Sequence, residues 1–285
     1  MTDGFDRVDG LKLNRELFNR FAKMIKEKTG IFFDVSKMYF LETKLKKRMK
    51  IMGVNDFLSY LMLLESDLLD QEFGKLIDEI VTNETSFFRI SSQFRAFEEY
   101  VIPDLLERKR NIQSRSLSFL SAGCSTGEET YSIAISVFEC LRRFAPDFDF
   151  NVVGIDISEK AIKFANNGMY PQLNGFIDDE RFDRYFWKQK EAFFVNDILK
   201  RRVFFKRGNL IERSEILSSG FFDAIFCRYV LIYLDENAKK RVLENLFSVL
   251  QPGGFLFVAP SECYNVPDSF ARILYKNAII FRKPF

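Results

Sequence analysis

The chain has 285 residues, of which 47% are apolar and 29% are charged, the balance expected of a globular protein. It contains no histidine, which excludes a Ser-His-Asp triad, a Cys-His pair and a histidine-ligated metal site. The net charge of +2 is too small to indicate a nucleic-acid-binding protein by itself.

Apolar residues recur at helical spacing between Asn14 and Val81 in three groups. The first group is Leu17, Phe18, Phe21, Met24 and Ile25, the second is Met38, Leu41, Leu45, Met49 and Met52, and the third is Phe57, Tyr60, Leu61, Leu64 and Leu68. Asn55 or Asp56 is the expected N-cap of the third helix. We therefore predict a small helical domain over residues 1–81.

A polar segment, residues 82–92, follows this helical region and contains Phe87 and Phe88. We predict that it is the linker between two domains. Beyond it, residues 93–110 are expected to form one helix that is interrupted near Pro103, because proline removes a helical hydrogen bond.

From residue 117 onward, short β-rich runs alternate with helical stretches. The predicted strands are 117–122, 152–157, 203–205, 224–230, 255–259 and 279–282, and the predicted helices are 130–143, 159–166 and 236–250. This alternation predicts an α/β fold over residues 93–285, with a doubly wound and mostly parallel sheet. Ligands of such sheets bind beyond the carboxyl ends of the strands. The alternation pauses between residues 169 and 201, which indicates an insertion.

Residues 121–129, Ser-Ala-Gly-Cys-Ser-Thr-Gly-Glu-Glu, follow a predicted strand and open a helix. They match the Gly-x-Ser-x-Gly pattern of hydrolase nucleophiles, but the chain has no histidine to accept the proton of Ser125. They do not match the Gly-x-Gly-x-x-Gly pattern of dinucleotide-binding proteins. Taken alone, this segment predicts only a strand-to-helix turn in which glycines such as Gly123 let the backbone approach a ligand.

A second signal lies at the end of the next predicted strand, where Asp156 is the third residue of the run Gly-Ile-Asp-Ile, residues 154–157. An acid at this position holds the ribose hydroxyls of a nucleotide in many doubly wound folds, although Asp156 could equally cap the following helix with Ser158. The glycine turn and the acid together favour an adenosine ligand. A triphosphate is disfavoured because the chain lacks a phosphate-binding Gly-x-x-x-x-Gly-Lys loop.

Five blocks of sequence in this order, behind a helical region, resemble the chemotaxis receptor glutamate methyltransferases, the CheR-type family. The blocks are 82–89 (Thr-Asn-Glu-Thr-Ser-Phe-Phe-Arg), 121–134, 154–158, 208–210 and 222–233. The resemblance runs from about Leu17 to the C-terminus. It implies a Rossmann-like methyltransferase sheet with an all-α N-terminal domain and a small β-subdomain. It also implies that S-adenosyl-L-methionine is the methyl donor, S-adenosyl-L-homocysteine the product, and that no metal is needed.

The activity implied by the resemblance is methyl transfer to glutamate side chains of chemotaxis receptors, which forms methyl esters during sensory adaptation. The implied cofactor-binding residues are Asn83, Thr85, Arg89, Gly123, Glu129, Asp156, Asn209, Leu210, Arg228 and Tyr229. Among them, Glu129 is expected at the methionine end, Asp156 at the ribose, and Asn209 with Leu210 at the adenine. Arg89 and Tyr233 are implied to face the substrate carboxylate.

Two positions depart from the family pattern. The chain has Tyr229 where the family usually has asparagine, and Ala-Pro-Ser-Glu at residues 259–262 where the family usually has Gly-His-Ser-Glu. Tyr229 keeps open the alternative of a non-catalytic adaptor that binds S-adenosylmethionine within a signalling array. An RNA methyltransferase is a third interpretation, and the near-neutral net charge disfavours it.

Carboxylate methylation requires no imidazole. A glutamate side chain, whose pKa in water is about 4.3, is already ionised at neutral pH. The enzyme must supply alignment and exclusion of water instead. Arg89 can position the carboxylate through its fork of N–H donors.

The second predicted helix is strongly basic, and its apolar stripe leaves Lys44, Lys47 and Arg48 predicted to point outward. A basic helix is commonly no more than a solvated surface. Because the implied substrate is the acidic, helical cytoplasmic domain of a chemoreceptor, we predict that these three side chains form an electrostatic docking site.

The implied β-subdomain lies at about residues 185–205. Some members of the family use it, with a glycine-rich loop, to tether the C-terminal peptide of a receptor. This chain has Lys-Gln-Lys-Glu at residues 188–191 instead. We therefore expect no C-terminal tether peptide. We also expect no nucleic-acid partner and no direct membrane insertion. The four cysteines form no Cys-x-x-Cys pair, and residues 1–10 do not resemble a secretory signal, so we expect a cytoplasmic protein.

Overall fold

A computed structural model describes residues 8–66 and 70–285. The chain divides into two compact units. The first comprises the chain up to Thr82 together with Tyr233–Ala238, and the second comprises Asn83–Ile232 together with Lys239–Phe285. Within the described residues, no helix is both long enough and apolar enough to span a membrane.

The first unit is helical. Its helices are α1 (Arg15–Thr29), α2 (Met38–Met52), α3 (Phe57–Glu65) and α4 (Asp70–Ile80), with a 3₁₀ turn at Val35–Lys37. Asn14 caps α1 by accepting a hydrogen bond from the N–H of Leu17, and Asp56 caps α3 by accepting one from the N–H of Ser59. Of the two residues predicted as possible N-caps of this helix, Asn55 and Asp56, the structure has Asp56. Leu68, predicted on the third helix, lies outside the described residues.

Most of the apolar residues predicted from periodicity form the core of this unit, whereas Leu17, Met38 and Met52 are only partly buried. Phe21, Ile25, Leu41, Leu45, Met49, Tyr60 and Leu61 are fully buried. The backbone of Tyr233–Ala238 joins this unit, since Ile31 and Leu234 form a β-bridge and Lys26 pairs with Asp235 at 2.5 Å.

One basic residue of α2 contradicts the predicted docking site. Arg48 is buried, and its guanidinium donates to both carboxylate oxygens of Glu72 on α4, at 2.9 and 2.6 Å. The hydroxyl of Tyr60 donates to the same carboxylate at 2.8 Å. Arg48 therefore forms an internal ion pair that joins helices, and the prediction that it points outward is wrong.

The second unit begins with α5 (Ser91–Ala96), a π-helical turn (Phe97–Val101) and α6 (Ile102–Asn111). The predicted interruption near Pro103 is this π turn, which lies directly before the proline. Proline offers no N–H to the carbonyl four residues earlier, and a π turn is one way to absorb that loss within a continuous helix.

The rest of the second unit alternates strands and helices. The strands are β1 (Ser116–Ala122), β2 (Asp149–Asp156), β3 (Met169–Tyr170), β4 (Phe186–Gln189), β5 (Ala192–Val195), β6 (Val203–Arg207), β7 (Phe222–Cys227), β8 (Leu250–Val258), β9 (Ala271–Tyr275) and β10 (Ala278–Arg282). The helices are α7 (Glu128–Phe144), α8 (Glu159–Asn167), α9 (Asp179–Tyr185), α10 (Asp197–Lys200), α11 (Arg213–Leu217) and α12 (Glu236–Val249), the last of which begins within the first unit.

Seven strands form the main sheet in the order β6-β2-β1-β7-β8-β10-β9. The first five are parallel to one another. β10 pairs antiparallel with both β8 and β9, so it runs against the other strands of this sheet. Every residue of β7 is buried, as expected for a strand covered on both faces. The predicted doubly wound, mostly parallel sheet is confirmed.

The insertion forms a separate antiparallel sheet in the order β3-β5-β4. This sheet starts at Met169 and ends at Val195, whereas the predicted β-subdomain covered residues 185–205. Residues Val203–Arg207 belong instead to the edge of the main sheet, where they pair with β2. The β4–β5 hairpin turns through Lys190 and Glu191, and Lys190 has a φ of 53°.

Candidate active site

The carboxyl ends of the parallel strands carry most of the predicted site. The loop after β1 begins at Gly123, with a φ of 81°, and continues to Gly127, with a φ of 98°. A Cβ atom at Gly123 would overlap the side chain of Val230, so this position requires glycine. The N–H groups of Gly123 and Cys124 donate to the carbonyl of Ile155 at 2.8 and 3.0 Å, which ties the loop to β2.

Asp156 ends β2 and is 9% exposed. One of its carboxylate oxygens accepts a hydrogen bond from the N–H of Ser125 at 2.8 Å, and the other accepts one from the N–H of Ser158 at 2.9 Å. The cap of α8 is Ser158, whose hydroxyl accepts from the N–H of Ala161. Asp156 therefore joins the glycine loop to the start of α8, and its binding to a ribose stays a prediction.

Residues 208–210 lie beside the same strand end, since the N–H of Gly208 donates to the carbonyl of Asp156 at 2.9 Å. The N–H of Asn209 donates to Glu215 at 2.8 Å, and the carbonyl of Leu210 accepts from Asn245 at 2.9 Å. These bonds fix the backbone of the predicted adenine-binding residues.

Asn83 approaches the glycine loop from the linker, and its side-chain oxygen accepts from the hydroxyl of Ser125 at 3.3 Å. Thr85, on the same linker, is partly buried. The structure thus brings Asn83, Gly123, Asp156 and the segment 208–210 together.

Glu129, in the first turn of α7, lies at the centre of a buried polar network. One oxygen accepts from the hydroxyl of Ser121 at 2.6 Å, and the other accepts from Nε of Arg228 at 2.7 Å. Arg228 also donates to the carbonyl of Arg89 at 2.6 Å and to the side chain of Gln93 at 3.1 Å. Gln93 in turn donates to the carbonyl of Val258 at 2.7 Å. The network joins the ends of β1, β7 and β8 to the segment that carries Arg89.

Glu128 is the second acid at the start of α7, and its carboxylate accepts from the hydroxyl of Thr126 at 2.7 Å. Burial raises the pKa of Glu128 above its ordinary value.

Arg89 is held in place by its neighbours. Its guanidinium lies over the ring of Tyr229 at 3.6 Å from the ring centre and donates to the carbonyl of Glu84 at 2.9 Å. The residues on both sides of it, Phe88 and Ile90, have positive φ angles of 52° and 63°. Non-glycine residues in this conformation are uncommon, so the backbone on both sides of Arg89 is conformationally constrained.

Phe87 and Phe88 belong to the core. Phe87 packs against the rings of Tyr170 and Phe186, and its backbone pairs with the insertion. Its N–H donates to the carbonyl of Asn174 at 2.8 Å, and its carbonyl accepts from the N–H of Phe176 at 3.1 Å. A Cβ atom at Gly175, between these two, would overlap the backbone of Phe87.

Sequence reasoning missed Glu262. This side chain is fully buried, and its carboxylate accepts from the N–H groups of Tyr229, Ala259 and Ile232 at 2.9, 3.0 and 3.2 Å. Burial raises the pKa of Glu262, and these backbone donors act in the opposite direction. The available signal was that Ser261 and Glu262 keep the residues usual in the family, in a run whose first two residues differ.

The first unit contains the predicted substrate residue Tyr233 and the three residues of the predicted docking site. Tyr233 is 37% exposed, and its carbonyl accepts from the N–H of Phe32 at 2.9 Å. Lys44 lies over the ring of Phe40, and Lys47, whose side chain is 57% exposed, pairs with Glu79 at 2.7 Å. Arg48 is buried, as described above.

The residues at the strand ends fit S-adenosylmethionine. The glycine loop allows close backbone approach, and Asp156 offers carboxylate oxygens where ribose hydroxyls bind in doubly wound folds. The acids at the start of α7 offer acceptors suited to an amino group. A mostly parallel sheet with this set of groups defines the class of S-adenosylmethionine-dependent methyltransferases.

Comparison with known proteins gives the family. Two family models match the chain, "CheR methyltransferase, SAM binding domain" over residues 83–278 and "CheR methyltransferase, all-alpha domain" over residues 16–81. The chain belongs to the CheR methyltransferase family. It is an S-adenosylmethionine-dependent methyltransferase, and the adaptor alternative is not supported.

Individual relatives agree over most of their length. The chemotaxis protein methyltransferase of Borreliella burgdorferi is 31% identical over 88% of this chain and 89% of the relative. That of Klebsiella aerogenes is 33% identical over 90% of this chain and 86% of the relative. Among solved structures, the N-methyltransferase NodS of Bradyrhizobium japonicum with S-adenosyl-L-homocysteine is 18% identical, has a TM-score of 0.37, and matches 66% of this chain and 88% of NodS.

Proposed function

We propose that this enzyme methylates glutamate side-chain carboxylates in the cytoplasmic helical domain of a chemoreceptor. The observation that carries the proposal is the constrained position of Arg89, whose guanidinium is fixed by the ring of Tyr229 and the carbonyl of Glu84. When bound, S-adenosylmethionine supplies an electrophilic methyl group.

Each residue at the strand ends binds a different part of this cofactor. Asp156 accepts hydrogen bonds from the ribose, Glu129 faces the methionine end, and Asn209 with Leu210 frames the adenine. Asn83, Thr85, Gly123, Arg228 and Tyr229 complete the enclosure. Their existing hydrogen bonds support this assignment because groups already held in place lose little conformational entropy on binding.

Arg89 positions the substrate carboxylate through two N–H donors, with Tyr233 as a second contact to the substrate. A guanidinium is suited to this because it stays charged and matches the planar geometry of a carboxylate. No side chain needs to remove a proton, since the glutamate is ionised at neutral pH. Such a substrate lies in the cytoplasm, where we place the enzyme, with neither nucleic acid nor membrane insertion involved.

The test is methyl transfer from labelled S-adenosylmethionine to a receptor cytoplasmic fragment, followed by mild alkali. We expect alkali-labile, volatile counts, because methyl esters hydrolyse to methanol. Arg89→Ala is expected to lower the rate by about a hundred-fold or more through loss of alignment. Arg272→Ala, which removes an exposed arginine of β9, serves as the control and is expected to keep the rate.

The alternatives give other results in the same assay. Alkali-stable counts would mean a different acceptor, and no counts from protein that still binds the cofactor would refute the receptor fragment as its substrate. A receptor fragment that lacks its C-terminal peptide is expected to be methylated at the same rate. A clear loss with the shortened fragment would refute the absence of a tether.

The docking proposal is now limited to Lys44 and Lys47. Reversing both charges in Lys44→Glu/Lys47→Glu is expected to raise the KM for the receptor fragment about ten-fold, at somewhat under 1 kcal/mol for each surface charge. The effect should shrink as salt is added, because exposed charges are screened. Calorimetric affinity for S-adenosylhomocysteine should stay unchanged.

Lys240→Glu is the matched control, since Lys240 is an exposed helical lysine with a glutamate partner at i+4. Receptor kinetics identical in the double variant, the control and the wild type would eliminate the docking site.

A further inference from the structure

The segment that follows β7 has an unfavourable local conformation. Tyr229 has a φ of 58°, in the left-handed region. A tyrosine side chain is disfavoured there, whereas asparagine, the residue usual in the family at this position, tolerates it well. Some interaction outside the residue must therefore hold Tyr229 in this conformation.

The carboxylate of Glu262 is suited to that task. It accepts from the N–H of Tyr229 at 2.9 Å and from the N–H of Ile232 at 3.2 Å, so it binds the segment on both sides of the unfavourable residue. A third bond, from the N–H of Ala259 at 3.0 Å, fixes the carboxylate relative to the end of β8. An ionised carboxylate only accepts hydrogen bonds, so it can serve several N–H groups at once.

The conformation of Tyr229 determines where its ring lies. The ring supports the guanidinium of Arg89, with 3.6 Å between the guanidinium carbon and the ring centre. The neighbouring residue, Arg228, binds the carbonyl of Arg89 at 2.6 Å. Residues 228 and 229 thus hold Arg89 from its backbone and its side chain.

We propose that Glu262 is a positioning residue that holds Tyr229 in the left-handed conformation, so that the tyrosine ring fixes the guanidinium of Arg89. The catalytic consequence rests on the proposed role of Arg89 in the methyl transfer. The structural part, from Glu262 to the Arg89–Tyr229 stack, does not depend on it.

Nuclear magnetic resonance of the arginine side chains tests the structural part. A group above an aromatic ring is shifted upfield, so the Nε–H signal of Arg89, assigned by its loss in Arg89→Lys, should lie upfield of other arginines. Tyr229→Asn should abolish the shift. Glu262→Gln should also move the Arg89 signal downfield, toward the signals of the other arginines, because an amide presents an N–H₂ group to backbone donors.

The matched control is Asp223→Asn, which alters another buried acid that accepts a backbone N–H, that of Ser118 at 2.9 Å. It should leave the Arg89 signal in place. An Arg89 signal that stays in place in folded Glu262→Gln would overturn the proposal.

A double-mutant cycle covers the case in which Glu262→Gln folds poorly. Because asparagine adopts the left-handed conformation readily, Glu262→Gln should lower the melting temperature less in a Tyr229→Asn background than in the wild type. An equal loss in both backgrounds, or failure to fold in both, would mean that Glu262 does not act through Tyr229.

Measurements of kcat test the catalytic consequence of the proposal. Glu262→Gln is expected to lower kcat about ten-fold through misplacement of Arg89. In the Tyr229→Asn background the same change should have little effect on kcat. If the wild type transfers no methyl group to receptors, the proposed function fails while the resonance result still decides the role of Glu262.

Discussion

Replacing Arg48 with methionine is expected to lower the free energy of unfolding by about 3–5 kcal/mol, because it leaves a buried carboxylate without its partner. Glu72 is 2% exposed, so water cannot replace the two hydrogen bonds from the guanidinium. The hydroxyl of Tyr60 would remain as its donor from another side chain. Urea unfolding followed by far-ultraviolet circular dichroism measures the loss, since the one tryptophan, Trp187, lies in the other unit.

The neighbouring position provides the control. Lys47 lies on the same helix as Arg48, and Lys47→Met removes its surface ion pair with Glu79 of α4, which should change stability by about 0.5 kcal/mol or less. Replacing all three buried groups, as Arg48→Met/Glu72→Leu/Tyr60→Phe, should restore most of the stability, because apolar residues of similar volume often replace buried ion pairs without loss. A single Arg48→Met variant as stable as the wild type would contradict this account of the pair.

Replacing Asp156 with alanine is expected to weaken binding of S-adenosylhomocysteine by about a hundred-fold, measured by calorimetry. Two hydrogen bonds from ribose hydroxyls to a charged group, at about 1.5 kcal/mol each, give a loss of this size. The variant also releases the N–H of Ser125, so the glycine loop loses one of its attachments.

Ser158→Ala separates the binding role of Asp156 from its structural one. It removes the cap of α8 and should cost about 1 kcal/mol of stability while affinity changes little. If Ser158→Ala weakened binding as much as Asp156→Ala, the carboxylate would act only by shaping the backbone.

Repeated patterns in the sequence predicted the larger elements. The apolar periodicity of α2 identified Leu41, Leu45 and Met49 as core residues, and the strand–helix alternation predicted the parallel sheet. The two-residue strand β3 is too short for a pattern, and the residues of β9 are partly or largely exposed, so neither gave a signal. β3 pairs with β5, more than twenty residues later in the chain, and β9 pairs with the neighbouring strand β10.

Arg48 shows how charge misled the interpretation of a helix. It lies three residues after Leu45 and seven after Leu41, so helical spacing alone places it on the buried face. Its charge suggested solvent, and only the tertiary structure reveals Glu72 as the partner that permits burial. Glu262 was missed for a related reason, because its hydrogen bonds go to backbone groups, which no sequence pattern records.

The backbone pairing between Phe87 and residues 174–176 links the stability of the insertion to that of the active site. Amide groups that share a hydrogen-bonded bridge are protected or released together when a protein opens locally. Any opening of the insertion that breaks this bridge therefore frees the segment two residues before Arg89. The small sheet therefore contributes to how long Arg89, which we propose positions the substrate, keeps its constrained conformation, although the strands of that sheet lie elsewhere.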